Sequence, residues 1–91
     1  MRFEWDPAKE TRNLQKHGVS FAEASTIFRD ALAATIPDLK HSDFELRYVT
    51  MGMSLANRLL VVAHSEGIDR FRIISARPAT ASERRRYESR T

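Results

Sequence analysis

Arginine dominates the chemistry open to this chain. One group lies in Arg70-Phe71-Arg72-Ile73-Ile74-Ser75-Ala76-Arg77, and a second, Arg84-Arg85-Arg86, follows Thr80-Ala81-Ser82-Glu83. Residues 70–91 hold seven Arg and two Glu, a net of +5, while residues 1–69 hold eight Lys or Arg and ten Asp or Glu, a net of −2. The positive balance is therefore carried by the last quarter. Guanidinium stays charged near neutral pH and presents a planar fork that matches phosphate. Such a face on an otherwise slightly acidic chain points to nucleic acid or to an acidic protein partner. Strict alternation along the strand predicts Phe71, Ile73, Ser75 and Arg77 on one face and Arg70, Arg72, Ile74 and Ala76 on the other.

RNA carries its own nucleophile, the 2′-hydroxyl. A protein that cleaves it need only orient that group, move protons and stabilise the charged phosphorane. Arg77 and Arg72 are the candidates for the phosphate, with Arg58 as a second clamp. Glu66, at a strand end near Arg58 and Arg72, is a candidate base. His64 follows Arg58, Leu60 and Val62 on one strand face and is a candidate general acid or base. Lys9, Lys16, Arg70, Arg84 and Arg85 are expected to extend an RNA track. Each has a plainer alternative: a solvated helix face for 84–86, a surface ion pair for Glu66, a structural histidine for His64. His17 is expected to serve the dipole at a helix C-terminus, and His41 to be a solvated loop residue. A non-catalytic basic module that docks an acidic partner or a DNA-binding protein is the competing reading.

Several classes are poor fits. The chain has no cysteine, which excludes disulfides, thiolate metal sites and cysteine nucleophiles and fits a reducing cytoplasm. The spacing of His17, His41 and His64 matches no metal motif, so no metal or cofactor is expected. No Gly-rich phosphate loop and no nucleophile elbow is present. The longest apolar run, Leu59-Leu60-Val61-Val62-Ala63, is too short to span a membrane. The charged start lacks the apolar run of a signal peptide. Ninety-one residues suggest a single domain over 1–91.

The elements that must position these groups follow from local signals. Residues 2–5 alternate as a short strand with Phe3 and Trp5 inward. Asp6-Pro7 opens a helix, Gly18 closes it, and Val19 is placed to meet Leu14 in a Schellman cap. Ser20 and Glu23 form a capping box for a second helix with Phe21, Ala24, Ile27 and Phe28 as its apolar stripe. Ala31–Ile36 is a weak strand, 39–44 a loop, Glu45–Met53 a strand, and 54–57 a hairpin turn in which Asn57 tolerates a left-handed backbone. Arg58–Ser65 is the most apolar strand, Arg70–Arg77 the last, and Thr80/Glu83 a second capping box that opens a terminal helix. The order β-α-α-β-β-β-β-α describes an α+β domain: an antiparallel sheet against two N-terminal helices, with a C-terminal helix. Trp5, Phe21, Phe28, Leu60 and Val62 are the expected core.

The residues also resemble a known family. Phe3-Glu4-Trp5-Asp6 with Lys9 and Asn13, Lys16-His17-Gly18-Val19-Ser20-Phe21, Glu23-Ala24, Phe28, His41-Ser42 with Glu45 and Arg47, Gly52 with Ser54, Arg58–Val62, and Arg72–Arg77 with Glu83-Arg84 and Tyr87-Glu88 are similar, in order and spacing, to the BrnT toxins of bacterial type II toxin–antitoxin systems. The resemblance implies a RelE-like fold and a metal-independent ribonuclease that arrests translation. It also implies an antitoxin partner, BrnA, with a ribbon-helix-helix domain, through which the complex meets operator DNA. Two positions depart from the family pattern. Asn57 stands where Gly is usual, and His64 replaces an apolar or aromatic residue.

Overall fold

The computed structural model describes residues 2–42 and 45–90. Strand β1 is Arg2–Glu4, helix α1 Pro7–His17 and helix α2 Phe21–Ser25, which runs on into a 3-10 turn, Thr26–Arg29. Strand β2 (Ala34–Pro37), a 3-10 turn (Leu39–His41), β3 (Arg47–Met53), β4 (Leu59–Gly67), β5 (Arg70–Pro78) and helix α3 (Ala81–Glu88) complete the order. The sequence of elements is the expected one. The expected loop at 39–44 contains the second 3-10 turn, and residues 43 and 44 lie outside the described residues. The five strands are arranged β1-β5-β4-β3-β2. All neighbours are antiparallel except β1, which joins β5 in parallel.

Local chemistry fixes the elements. Asp6 accepts from the Ala8 N–H at 2.9 Å and Pro7 occupies the first helical position of α1. Gly18 closes α1 in the left-handed region, φ 69°, and its N–H meets the Leu14 carbonyl at 2.8 Å. That bond is the simple left-handed cap. Val19 is buried while Leu14 is half exposed. Asn57 also takes a positive φ, 60°, as the β3–β4 turn requires.

The first expected capping box is only half formed. Ser20 accepts from the Glu23 N–H at 3.0 Å, but the Glu23 carboxylate turns away to Arg58 and Ser54. Glu10 of α1 supplies the missing acceptor for α2, taking the N–H groups of Phe21 (2.9 Å) and Ala22 (3.3 Å). The second box, Thr80 with Glu83, is complete. Strand β2 starts at Ala34 rather than Ala31 because Asp30 bends the chain first, accepting from Leu32 N–H at 2.9 Å.

Helices α1 and α2 pack against β5 on one face of the sheet. Between them and the sheet lies the core of Val19, Phe21, Ala24, Ile27, Leu60, Val62, Ile73 and Ala76. Phe3, Trp5 and Phe28 pack at its margin, partly buried. Gly52 is required there: a Cβ would meet Ile27 and Ala33 at 3.1–3.3 Å. On the opposite face, Leu59 and Val61 are also buried, and a hollow is lined jointly by Val49, Met51, Val61 and the α3 residues Glu83 and Arg86. Helix α3 is pinned by the Tyr87 hydroxyl, which donates to Asp30; the same carboxylate accepts from Met53 N–H at 2.8 Å. Burial pushes the Asp30 carboxyl up, yet these bonds outweigh it and hold it below its ordinary value, while Tyr87 is pushed up to about 12 by its bond to Asp30.

The face assignment of β5 differs from strict alternation, and the cause is a bulge. His64 pairs with Ile73 and Ala63 with Ser75, so Ile74 has no counterpart on β4. One extra residue shifts the phase of everything after it. Phe71 and Ile73 face the helices, and so does Ala76, which is 1% exposed. Ser75 and Arg77 therefore join Arg70 and Arg72 on the opposite face.

Candidate functional site

Where β1 ends, the edge of β5 has no strand beside it, and α1 takes that place. Lys9, Arg12, Asn13 and Lys16 recur at helical spacing and form one stripe of α1. Asn13, 8% exposed, is the anchor. Its Nδ2 donates to the carbonyls of Ala76 (2.8 Å) and Val19 (2.9 Å), and its Oδ1 accepts from the Ala76 N–H at 3.1 Å. A single carboxamide thus satisfies a strand edge and the chain just past the helix cap. The rest of the stripe is cationic. Lys9, Arg12, Lys16 and His17 line a hollow of about 400 Å³ with Ile74 and Ser75.

His17 and Ser75 also border a second cavity, of about 290 Å³, so the two are contiguous. The second contains Asp38, His41 and Arg77 over a floor of Val49, Val61 and Ala63. Its outer wall is the 38–42 turn, fastened to the start of β3. Asp38 N–H donates to Arg47 O (2.8 Å), Ser42 Oγ donates to Asp38 O (2.6 Å), and Arg47 N–H donates to Ser42 Oγ (3.0 Å). Within it, His41 Nδ1 lies 3.1 Å from Asp38 Oδ2.

Arg77 is held from behind. Its two terminal nitrogens donate to Glu83 Oε1 and Oε2 at 2.8 and 2.9 Å, and Nη1 also reaches Pro78 O at 3.3 Å. Three of five guanidinium donors are engaged in these bonds, and Nε–H and one Nη2–H are not used by them. The bond to Glu83 raises the guanidinium pKa, and Glu83, bonded to Arg77 and to the Thr80 N–H, drops to about 2. The pair stays ionised throughout the neutral range. Its fork geometry fixes the Arg77 side chain in one place.

The other expected site residues fall elsewhere. Arg58 forms a two-point ion pair with Glu23 and also donates to Gly18 O at 3.0 Å. It ties α2 to the start of β4 and is a structural clamp rather than part of the groove. The Glu23 carboxyl is held low by that bond, and the Arg58 guanidinium raised. Glu66, Arg70 and Arg72 gather in a separate hollow at the β4–β5 turn with Glu4 and Glu45. Arg70 is 3.4 Å from Glu4 there. Arg84 lies on α3, 3.9 Å from Glu88, and Arg85 is exposed on the same helix.

His64 is corrected most sharply. It is fully buried on the helix-covered face. Its Nε2 is 2.7 Å from Thr50 Oγ1, and its ring sits among Phe28, Phe71 and Tyr48 at centroid distances of 5.0–6.0 Å. Burial lowers its pKa to about 4. No path leads from this ring to Arg77, which is on the other side of the sheet. The aromatic surroundings also explain why an aromatic or apolar residue suits this position.

Of the site residues singled out in the sequence, Lys9, Lys16 and Arg77 line these adjoining hollows, and the structure adds Arg12, Asn13, His17, Asp38, His41 and Ser75 beside them. The α1 stripe was available as a helical period. Asp38 and His41, three apart, could have been read as a pair; the phase of Ser75 could not.

The profile of the family described as "Ribonuclease toxin, BrnT, of type II toxin-antitoxin system" matches residues 5–83. The chain belongs to the BrnT ribonuclease toxin family. The crystal structure of the Brucella abortus ribonuclease toxin BrnT superposes with a TM-score of 0.69 at 24% identity, covering 88% of this chain and 97% of that one. That likeness speaks for the fold. Among curated proteins no match is found. Membership of the BrnT family implies an RNA target and an antitoxin partner. No helix among the described residues is long and apolar enough to cross a membrane.

Proposed function

We propose that this BrnT-family chain is a metal-independent endoribonuclease toxin that inhibits translation by cleaving RNA in the groove between α1, β5 and the 38–42 turn. The observation that carries the reading is the contiguity of a cationic hollow, lined by Lys9, Arg12 and Lys16, with a cavity that holds Arg77, His17 and His41. The first suits a phosphodiester backbone. The second has what a 2′-hydroxyl attack needs: a fixed cation for the phosphorane and two imidazoles able to take and give a proton. These are Arg, Lys and His chemistries, which act without a Lewis acid. Arg77 replaces the dispersed set of Arg58, Arg72 and Arg77 as the phosphate ligand; Arg70 and Arg72 at the β4–β5 turn are left to bind RNA beyond the cut.

A cognate antitoxin of the ribbon-helix-helix class neutralises the toxin by covering the groove, and operator DNA is met through that partner. The setting is the cytoplasm. The test is cleavage of cellular RNA by purified protein in EDTA. Cleavage that persists in chelator and is lost in Arg77→Ala supports the reading. Cleavage that needs added Mg²⁺ or Zn²⁺ contradicts metal independence. Partner binding without any cleavage favours a docking module.

A further inference from the structure

We propose that His41, aligned by Asp38, and His17, on the opposite wall of the same cavity, are the proton-transfer pair of this site. The inference rests on the ribonuclease reading above and assigns the acid and the base that it requires.

Three observations carry it. First, both histidines line the cavity that Arg77 also lines. Second, His41 Nδ1 faces the Asp38 carboxylate at 3.1 and 3.3 Å. Such a contact fixes the tautomer with the proton on Nδ1, so that Nε2, on the far edge of the ring, carries a lone pair. The turn that presents the pair is fastened to β3 by side-chain and backbone bonds, which fix the Asp38 backbone. Third, His17, Asp38 and His41 border one cavity, yet among the described residues they do not gather as a metal centre does.

The roles follow from placement. His41 Nε2 takes the proton from the ribose 2′-hydroxyl as O2′ forms its bond to phosphorus. His17 sits at the C-terminal end of α1, across from the 38–42 turn that carries His41. Its imidazolium gives a proton to the 5′-oxygen as the P–O5′ bond breaks. The products are a 2′,3′-cyclic phosphate on the upstream fragment and a 5′-hydroxyl on the downstream one. One proton is taken and one is given, and no other reactant enters. Arg77 meets the charge on the non-bridging oxygens. Asp38 is a positioning residue, because it acts through His41.

The experiment compares wild type with His41→Gln, His17→Gln and Asp38→Asn on a short oligonucleotide that contains one ribonucleotide. Rates are followed from pH 5 to 9, and binding of the same oligomer with a 2′-O-methyl group is measured alongside. Wild type should give a bell-shaped kcat/KM profile and cyclic-phosphate ends. His41→Gln should lose the acidic limb and His17→Gln the alkaline limb, each with kcat lowered about 10²–10⁴-fold and 2′-O-methyl binding unchanged. Asp38→Asn should lower kcat less, and adding it to His41→Gln should cost nothing further. The proposal is overturned if both histidine variants keep wild-type kcat and both limbs, or if their loss is matched by weaker 2′-O-methyl binding. If wild type itself cleaves no RNA, the ribonuclease reading fails first and the assignment falls with it.

Discussion

Asn13 pairs with Ala76 as a neighbouring strand does, accepting from its N–H and donating to its carbonyl. The same amide nitrogen reaches the Val19 carbonyl. Asn13→Ala would leave three buried backbone groups without partners at a strand edge that water reaches poorly. Each unsatisfied group costs about 1–3 kcal/mol, so the variant should lose at least about 2 kcal/mol in denaturant unfolding. Asn13→Asp keeps the acceptor and loses both donors, and should be similarly unstable at neutral pH. A midpoint equal to wild type in both variants would remove Asn13 from its anchoring role.

Arg77→Ala should abolish toxicity, whereas Arg86→Ala, at an exposed position of α3, should leave it near wild type. Arg77→Lys keeps the charge and loses the fork, so it should fall between them. Growth after induced expression, with circular dichroism to check folding, separates these outcomes. Retained toxicity in Arg77→Ala would place the phosphate ligand elsewhere.

RNA binding should weaken with salt. Contacts to several phosphates through Arg77, Lys9, Arg12 and Lys16 predict a log–log slope of about −0.7 per contact for single strands. Lys9→Ala and Lys16→Ala should each reduce the slope by about that amount, read in filter-binding titrations. The antitoxin should compete with RNA for the same groove; a ternary complex of toxin, antitoxin and RNA at unchanged affinities would exclude occlusion.

His64 should make folding stability depend on pH. Its folded pKa, about 4, lies below the ordinary 6.5, so the unfolded chain binds more protons between these values. The contribution is fully present above about pH 6.5 and is lost progressively as pH falls toward about 4. The ring faces Thr50, Tyr48, Phe28 and Phe71, with Glu66 Oε1 at 4.0 Å from Nδ1. His64→Phe should flatten the stability profile in that window without removing RNA cleavage, measured by chemical denaturation at successive pH values. Loss of cleavage with normal folding would restore a chemical role to this residue.

Phe28 is the hub of an aromatic group, 5.4 Å from Phe3, 4.9 Å from Phe71 and 5.0 Å from His64. It is only partly buried. Phe28→Ala should therefore fall at or below the lower end of the ~3–5 kcal/mol typical of buried rings. An unchanged denaturation midpoint would take Phe28 out of the core.

Much of the fold was legible because its signals are local. Asp6-Pro7, Gly18 and Thr80–Glu83 mark helix ends through bonds spanning a few residues; Asp6-Pro7 and Thr80–Glu83 formed as read, and Gly18 ends α1 in the left-handed region but by the simple cap rather than the Schellman one. Glu23 shows the limit: its spacing from Ser20 is that of a capping box, but Arg58, 35 residues away, competes for the carboxylate and wins with two charged bonds. His64 was readable as well. It shares its strand face with Leu60 and Val62, and that face is the core. The groove was less legible because it is assembled from α1, β5 and the 38–42 turn, which meet only in three dimensions. His17 and His41 each looked ordinary, and only the cavity they share sets them apart.

The Ile74 bulge makes the face on which Arg77 lies a question of counting. Between Ile73 and Arg77 the chain holds one residue more than a regular ladder accommodates. Removing Ile74 would take one apolar residue from the lining of the cationic hollow and leave Ser75, Ala76 and Arg77 opposite Ala63, Val62 and Val61 with their directions kept, whereas closing the bulge with Ile74 retained would turn Ser75 and Arg77 toward the helices and Ala76 to the outside. A one-codon deletion there is thus expected to be milder than a one-residue slip of the strand, and homologous strands aligned without this gap would match residues that point in opposite directions.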